Sequence, residues 1–99
     1  MKKESIKEQL ITIISSVVGI VGFASLNLNE EVEILDSNYE KGIEISIDNN
    51  QINLTIAVVI LSSVSAKGII EEISQNISYV LSKEKMTLTN LNIFIRGIE

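Results

Sequence analysis

From Gln9 to Asn29 the chain carries no charged residue, and Lys2, Lys3 and Lys7 precede that window. In a chain of 99 residues, an uncharged run of this length has three outlets. It can cross a membrane, be a signal peptide, or lie buried in a small domain. As a span, Leu10–Leu26 sits at the short limit of about 17–25 residues and is diluted by Thr12, Ser15, Ser16, Gly19, Gly22 and Ser25. As a leader covering residues 1–24, it has lysines, an apolar middle and a small-x-small site at Gly22-Phe23-Ala24. Against this, Glu4 and Glu8 weaken the positive start. Removing the segment would also leave a single helix to cover the sheet found downstream. The spacing favours the third outlet. Ile6, Leu10, Ile13, Ile14, Val17 and Val21 fall on one helical side, with Gly22 as a candidate C-cap.

Further along, "EEVEILD" (30–36) alternates Val32 and Ile34 with Glu31 and Glu33, the pattern of a short charged edge strand. "DSNYEKG" follows as a loop hinged at Gly42. The strongest local signal comes next. Ile43, Ile45 and Ile47 alternate with Glu44, Ser46 and Asp48; after the turn, Ile52, Leu54, Ile56, Val58 and Ile60 alternate with smaller or polar residues. Asp48-Asn49-Asn50 tolerates positive φ, so the segment reads as a β-hairpin.

Ser62, Ser63 and Ser65 offer N-caps for a helix of about 17 residues, within usual helix lengths. Its apolar stripe is Ile69, Ile73, Ile77 and Val80, with Ile70 and Leu81; Lys67, Glu71, Glu72, Gln75, Ser78 and Ser82 form the wet side. Leu91, Ile93 and Ile95 then alternate with Asn92, Phe94 and Arg96 as a last strand. The order α-β-β-β-α-β predicts one α+β domain over residues 1–99. It is a two-layer sandwich in which two helices cover one face of a mixed sheet. The strand–helix–strand crossover is expected to be right-handed.

Composition restricts the chemistry. The chain has no His and no Cys, which removes the commonest general base, the commonest metal ligand and any thiolate site. Ser62, Ser63 and Ser65 have no partner base and no nucleophile elbow, and read as caps. "SAKG" and "VVGIVG" lack phosphate-loop and dinucleotide spacings. The expectation is a non-enzyme with no cofactor. Net charge is −5, and residues 1–50 carry four lysines against nine acids. That balance argues against nucleic acid, whose recognition needs a basic face. The acids concentrate between Glu30 and Asp48. A weak metal-binding module over 30–48 is an alternative, though the spacing fits no EF-hand loop and a solvated edge explains the run better.

The chain also resembles a known family, the alkaline-shock/general-stress (envelope stress response) domains of Gram-positive and related bacteria. In "EISQNISYVLSKEKMTLTNLNIFIRGI", Glu72, Ile73, Asn76 and Ile77 are similar to the family's E-V-A-x-N-I-Q helix. Met86 and Thr87 match its Met-Thr junction, and Asn92, Ile93, Ile95, Gly97 and Ile98 match its V-N-V-x-I-x-G-V strand. Ile45, Asp48, Asn49, Ile52, Leu54, Val58 and Val59 resemble its hairpin, and "VVGIVGF" resembles its E-G-V-x-G turn through Gly19 and Gly22. Two stretches depart from the pattern: "LSSVSAKG" replaces a Tyr-Gly, and "KESIKEQL" replaces I-x-I-A-x-E-V. The resemblance implies a non-catalytic cytoplasmic scaffold or adaptor for the stress response at the cell envelope. Some such domains are held near the membrane by a separate protein, and others are linked by gene context to fatty-acid metabolism.

One surface remains as a functional candidate. Glu44, Ser46, Asn53, Thr55, Ala57, Val59, Asn92, Phe94 and Arg96 point away from the expected helices. Ala57, Val59 and Phe94 would form an apolar island there, framed by Asn92, Arg96 and Glu44, suited to self-association or a protein partner.

Overall fold

The computed structural model describes residues 3–27, 29, 35 and 39–99. The elements are α1 (Lys3–Ser15), β1 (Ile20–Phe23), a 3-10 turn (Tyr39–Gly42), β2 (Ile43–Asp48), β3 (Gln51–Ile60), α2 (Ala66–Lys83) and β4 (Thr87–Ile98). The order is α-β-β-β-α-β, as the sequence predicts. The first strand, however, is Ile20–Phe23. The expected edge strand at Val32 and Ile34 lies outside the described residues, apart from Leu35, whose N–H donates to the Phe23 carbonyl at 2.8 Å.

The uncharged window therefore divides. Its first half forms α1, which buries Ile6, Leu10 and Ile14. Ser15, Ser16 and the β-branched Val17 and Val18 then weaken helical propensity. The chain reverses at Gly19, where φ is +103°. A Cβ there would meet Val64 Cγ1 at 3.0 Å and Ile69 Cδ1 at 3.1 Å. Gly19, not Gly22, is thus the residue that ends the helical segment, and Gly22 belongs to β1. Among the described residues no helix is long and apolar enough to cross a membrane.

The β2–β3 hairpin closes on Asn49 (φ +50°) and Asn50 (φ +65°), the double positive φ of a tight primed turn. Its register runs from Asp48 opposite Gln51 to Ile43 opposite Ile56. β3 is the hub of the sheet. β2 pairs with its first part and β1 with its last, both antiparallel and along the same edge. β4 pairs with it in parallel over the whole of its other edge, so the sheet is mixed. Bulges in β4 fall at Thr89 and Arg96, the residues skipped between Leu88 and Asn90 and between Ile95 and Gly97.

α2 makes the return crossover. Ser65 caps it by accepting from the Gly68 N–H at 3.3 Å. At its end the Met86 N–H donates to Leu81 O and the Lys85 N–H to Ser82 O, with Lys85 at φ +59°. This is a Schellman-type exit with lysine where glycine is usual. The buried seam is Ile69, Ile73, Ile77 and Leu81. Val80 is only half-buried and Ile70 is exposed, so the seam rotates toward Leu81 over its last turn. Both helices pack on one sheet face. Their buried residues join Ile43, Ile45, Ile52, Leu54, Ile56, Val58 and Ile60 in a single core.

Candidate interaction surface

The other sheet face carries the candidate residues, and strand register arranges them in rows. Glu44, Thr55 and Asn92 form one row across β2, β3 and β4. Ser46, Asn53 and Asn90 form the next, in which Asn90 Nδ2 donates to Asn53 Oδ1 at 2.6 Å. Ala57 lies beside Phe94, and Val59 lies between Gly22 and Gly97. Glu44, Ser46 and Asn92 are exposed, and Phe94 is 45% exposed.

The expected apolar island is corrected. Ala57 is 0% exposed and Val59 only 2%. They form a second small core with Ala24, against which Val21 and Leu26 pack. After β1 the chain turns over this face: the Ala24 N–H donates to Ala57 O at 3.0 Å and the Leu26 N–H to Lys41 O at 2.7 Å. Gly42 lets the turn come close, because a Cβ there would stand 2.6 Å from Ala24 O. Of the three apolar residues assigned to the island, only Phe94 is on the surface.

Arg96 is also more than a polar rim. Alternation along β4 puts it on the outer face, where Nη1 donates to the carbonyls of Ser25 and Asn27. Those partners follow β1, on the far side of β3, so the side chain must cross β3 to reach them. With glycine on either side of Val59, this crossing has room. Sequence reading missed the cover because "ASLN" after β1 has no periodicity to mark it as packed chain.

Elsewhere the described surface has open depressions, two of which border α2. One, about 520 Å³, lies between the helices and is lined by Glu8, Gln9, Thr12, Ile13 and Val80. The other, about 270 Å³, is at the start of α2, with Val18, Val64, Ile69 and Glu72 among its walls. Among the described lining residues the first holds one carboxylate, Glu8, and the second one, Glu72. Among the described residues no three acidic side chains gather as a metal site. Most of the acidic run proposed as a metal module lies outside the described residues.

Comparison with known proteins gives a fold likeness and a family. No curated protein matches the chain. The solved structure named MamM CTD is similar in fold, with 10% sequence identity, a TM-score of 0.54, and coverage of 97% of this chain and 95% of that one. At that identity the likeness concerns the fold alone. A family model matches residues 1–99 in full, and the chain belongs to the alkaline shock protein 23 family, of cell envelope-related function.

Proposed function

We propose that this domain is a non-catalytic scaffold or adaptor that works on the cytoplasmic side of the cell envelope, by self-association or by docking on a protein partner. The observation that carries this reading is Phe94. It is 45% exposed on the sheet face that neither helix covers, and it belongs to neither apolar core. Aromatic side chains are enriched among interface hot spots, and polar neighbours such as Asn92 suit a rim. The absence of His and Cys from the sequence supports a role without chemistry of its own. The fold further supports recruitment to the membrane through another protein, since the apolar opening segment is spent on the core.

Phe94→Ser tests the proposal. Thermal unfolding should change little, while sedimentation across a concentration series should show assembly or partner capture weakened by about 1–3 kcal/mol. Unfolding far earlier than the parent would make Phe94 a core residue. Unchanged stability together with unchanged assembly would leave this face idle.

A further inference from the structure

We propose that two copies of this chain associate by pairing their β4 edges, antiparallel about a two-fold axis, so that the sheet continues across the interface. The inference rests on the self-association reading above and gives it a geometry.

β4 runs for 12 residues and pairs with β3 along one side. Among the described residues no strand lies along its other side, so its outward N–H and C=O groups have no ladder. Proteins that remain monomeric usually guard such an edge with lysine, proline or charge. Met86–Ile95 contains none of these. Arg96, the one charge within β4, reaches back over the sheet to Ser25 and Asn27. The opposite edge is different, because β2 presents exposed Glu44 and Asp48. The β4 edge also keeps apolar surface in reserve. Leu88, Leu91, Ile93 and Ile95 lie on the helix-covered face but are only partly buried, whereas Ile52, Leu54, Ile56 and Val58 on β3 are fully buried.

A second copy is the occupant that fits. Residues directly opposite each other in an antiparallel pair project to the same face. Between the two bulges, a two-fold axis through Asn92 sets Leu91 opposite Ile93 and Asn90 opposite Phe94. An axis through Ile93 sets Ile93 opposite itself, Leu91 opposite Ile95, and Asn92 opposite Phe94. Either choice joins apolar to apolar on the inner face, as an isologous interface requires. Neither places Arg96 against its own copy. The axis through Asn92 also brings Lys85, before the strand, opposite Glu99, after it. No acid lies between Lys85 and Ile98, so the paired strands themselves bring no carboxylates against each other.

The natural chain has no cysteine, which makes single-cysteine variants decisive. Opposed residues in an antiparallel ladder stand about 4.5–5.5 Å apart at Cα, within disulfide reach. Under mild oxidation, Asn92→Cys or Ile93→Cys, whichever lies on the axis, should cross-link about 10-fold faster or more than Ser46→Cys on β2, as a high local concentration implies. Asn92 is exposed, so its variants keep the fold. With the axis through Asn92, Asn92→Lys should raise the dimer dissociation constant about 5-fold, the cost of opposed like charges, with unfolding temperature unchanged; with the axis through Ile93 the lysine meets Phe94 and the rise should be smaller, and Ser46→Lys should leave the constant unmoved in both. If neither cysteine outpaces Ser46→Cys, edge pairing is wrong. A chain that still assembles in a Phe94-dependent way would then keep the scaffold reading without it. A chain that is monomeric at every concentration and captures no partner overturns both.

Discussion

Arg96 on β4 and Ser25 beyond β1 are joined across the full width of β3 by a single hydrogen bond from Nη1 to the Ser25 carbonyl. The same nitrogen donates to Asn27 O at 3.1 Å, so one side chain fixes a stretch of irregular chain over Val59. Arg96→Met keeps an apolar stem and removes the donor. It should cost about 1.5–3 kcal/mol, the range for hydrogen bonds to a charged group. Arg96→Ala should cost more, because it removes the apolar stem as well as the donor. Urea unfolding measures both, and an unaltered midpoint for Arg96→Met would show that the clamp contributes nothing.

The helix seam gives a sharper contrast. Ile73 is 0% exposed in the middle of the core, and Glu71 is exposed two residues away. Ile73→Ala should cost about 2–5 kcal/mol. Glu71→Ala should move stability by less than about 0.5 kcal/mol. Equal effects in denaturant titrations would contradict the assigned helix face.

Two glycines should respond in opposite directions. Gly19 combines a φ of +103° with Val64 and Ile69 carbons at 3.0–3.2 Å from a new Cβ, so Gly19→Ala should destabilise by about 1–3 kcal/mol. Gly68 lies in the first turn of α2, where a Cβ would meet only Ser65 atoms, at 3.7 and 3.8 Å. Gly68→Ala should stabilise by up to about 1 kcal/mol through helix propensity. Differential scanning calorimetry of the pair checks the signs.

The opening segment yields a test of location. Ile6, Leu10, Ile14, Val17 and Phe23 all belong to the main core. Expressed without partners, the chain should therefore stay uncut and fractionate without detergent. Intact-mass measurement on each fraction decides it. A product beginning at Ser25, or one released only by detergent, would contradict the core assignment of α1.

The elements with strong period were legible in the sequence. The hairpin showed itself through alternating isoleucines and two consecutive asparagines, and α2 through its i, i+4 isoleucines. The window around Gly19 was harder, since Ile6 to Val21 can be placed on one helical stripe even though Ile20–Phe23 is a strand. There the β-branched run beside a glycine, rather than hydrophobic spacing, marked the break. Strand order was not legible, because alternation fixes which face a side chain takes but not which strand is its neighbour. For the same reason Ala57 and Val59 were rightly placed on the outer face and wrongly taken as open. Their burial comes from Ala24, with Val21 and Leu26 packed alongside, contacts made between distant parts of the chain.

The parallel pairing of β3 with β4 also has a kinetic meaning. A two-residue hairpin closes in about 1–10 μs. β4 can dock only after the chain has travelled through α2, at a larger entropic cost of closure. A hairpin without α2 and β4 would leave the apolar face of β3 uncovered and its second edge vacant, a surface open to aggregation during refolding. The speed at which α2 settles onto Ile52, Leu54 and Ile56 then governs how much chain survives to the native state. Concentrated refolding would lose yield first in variants that slow that helix, even where their final stability is unimpaired.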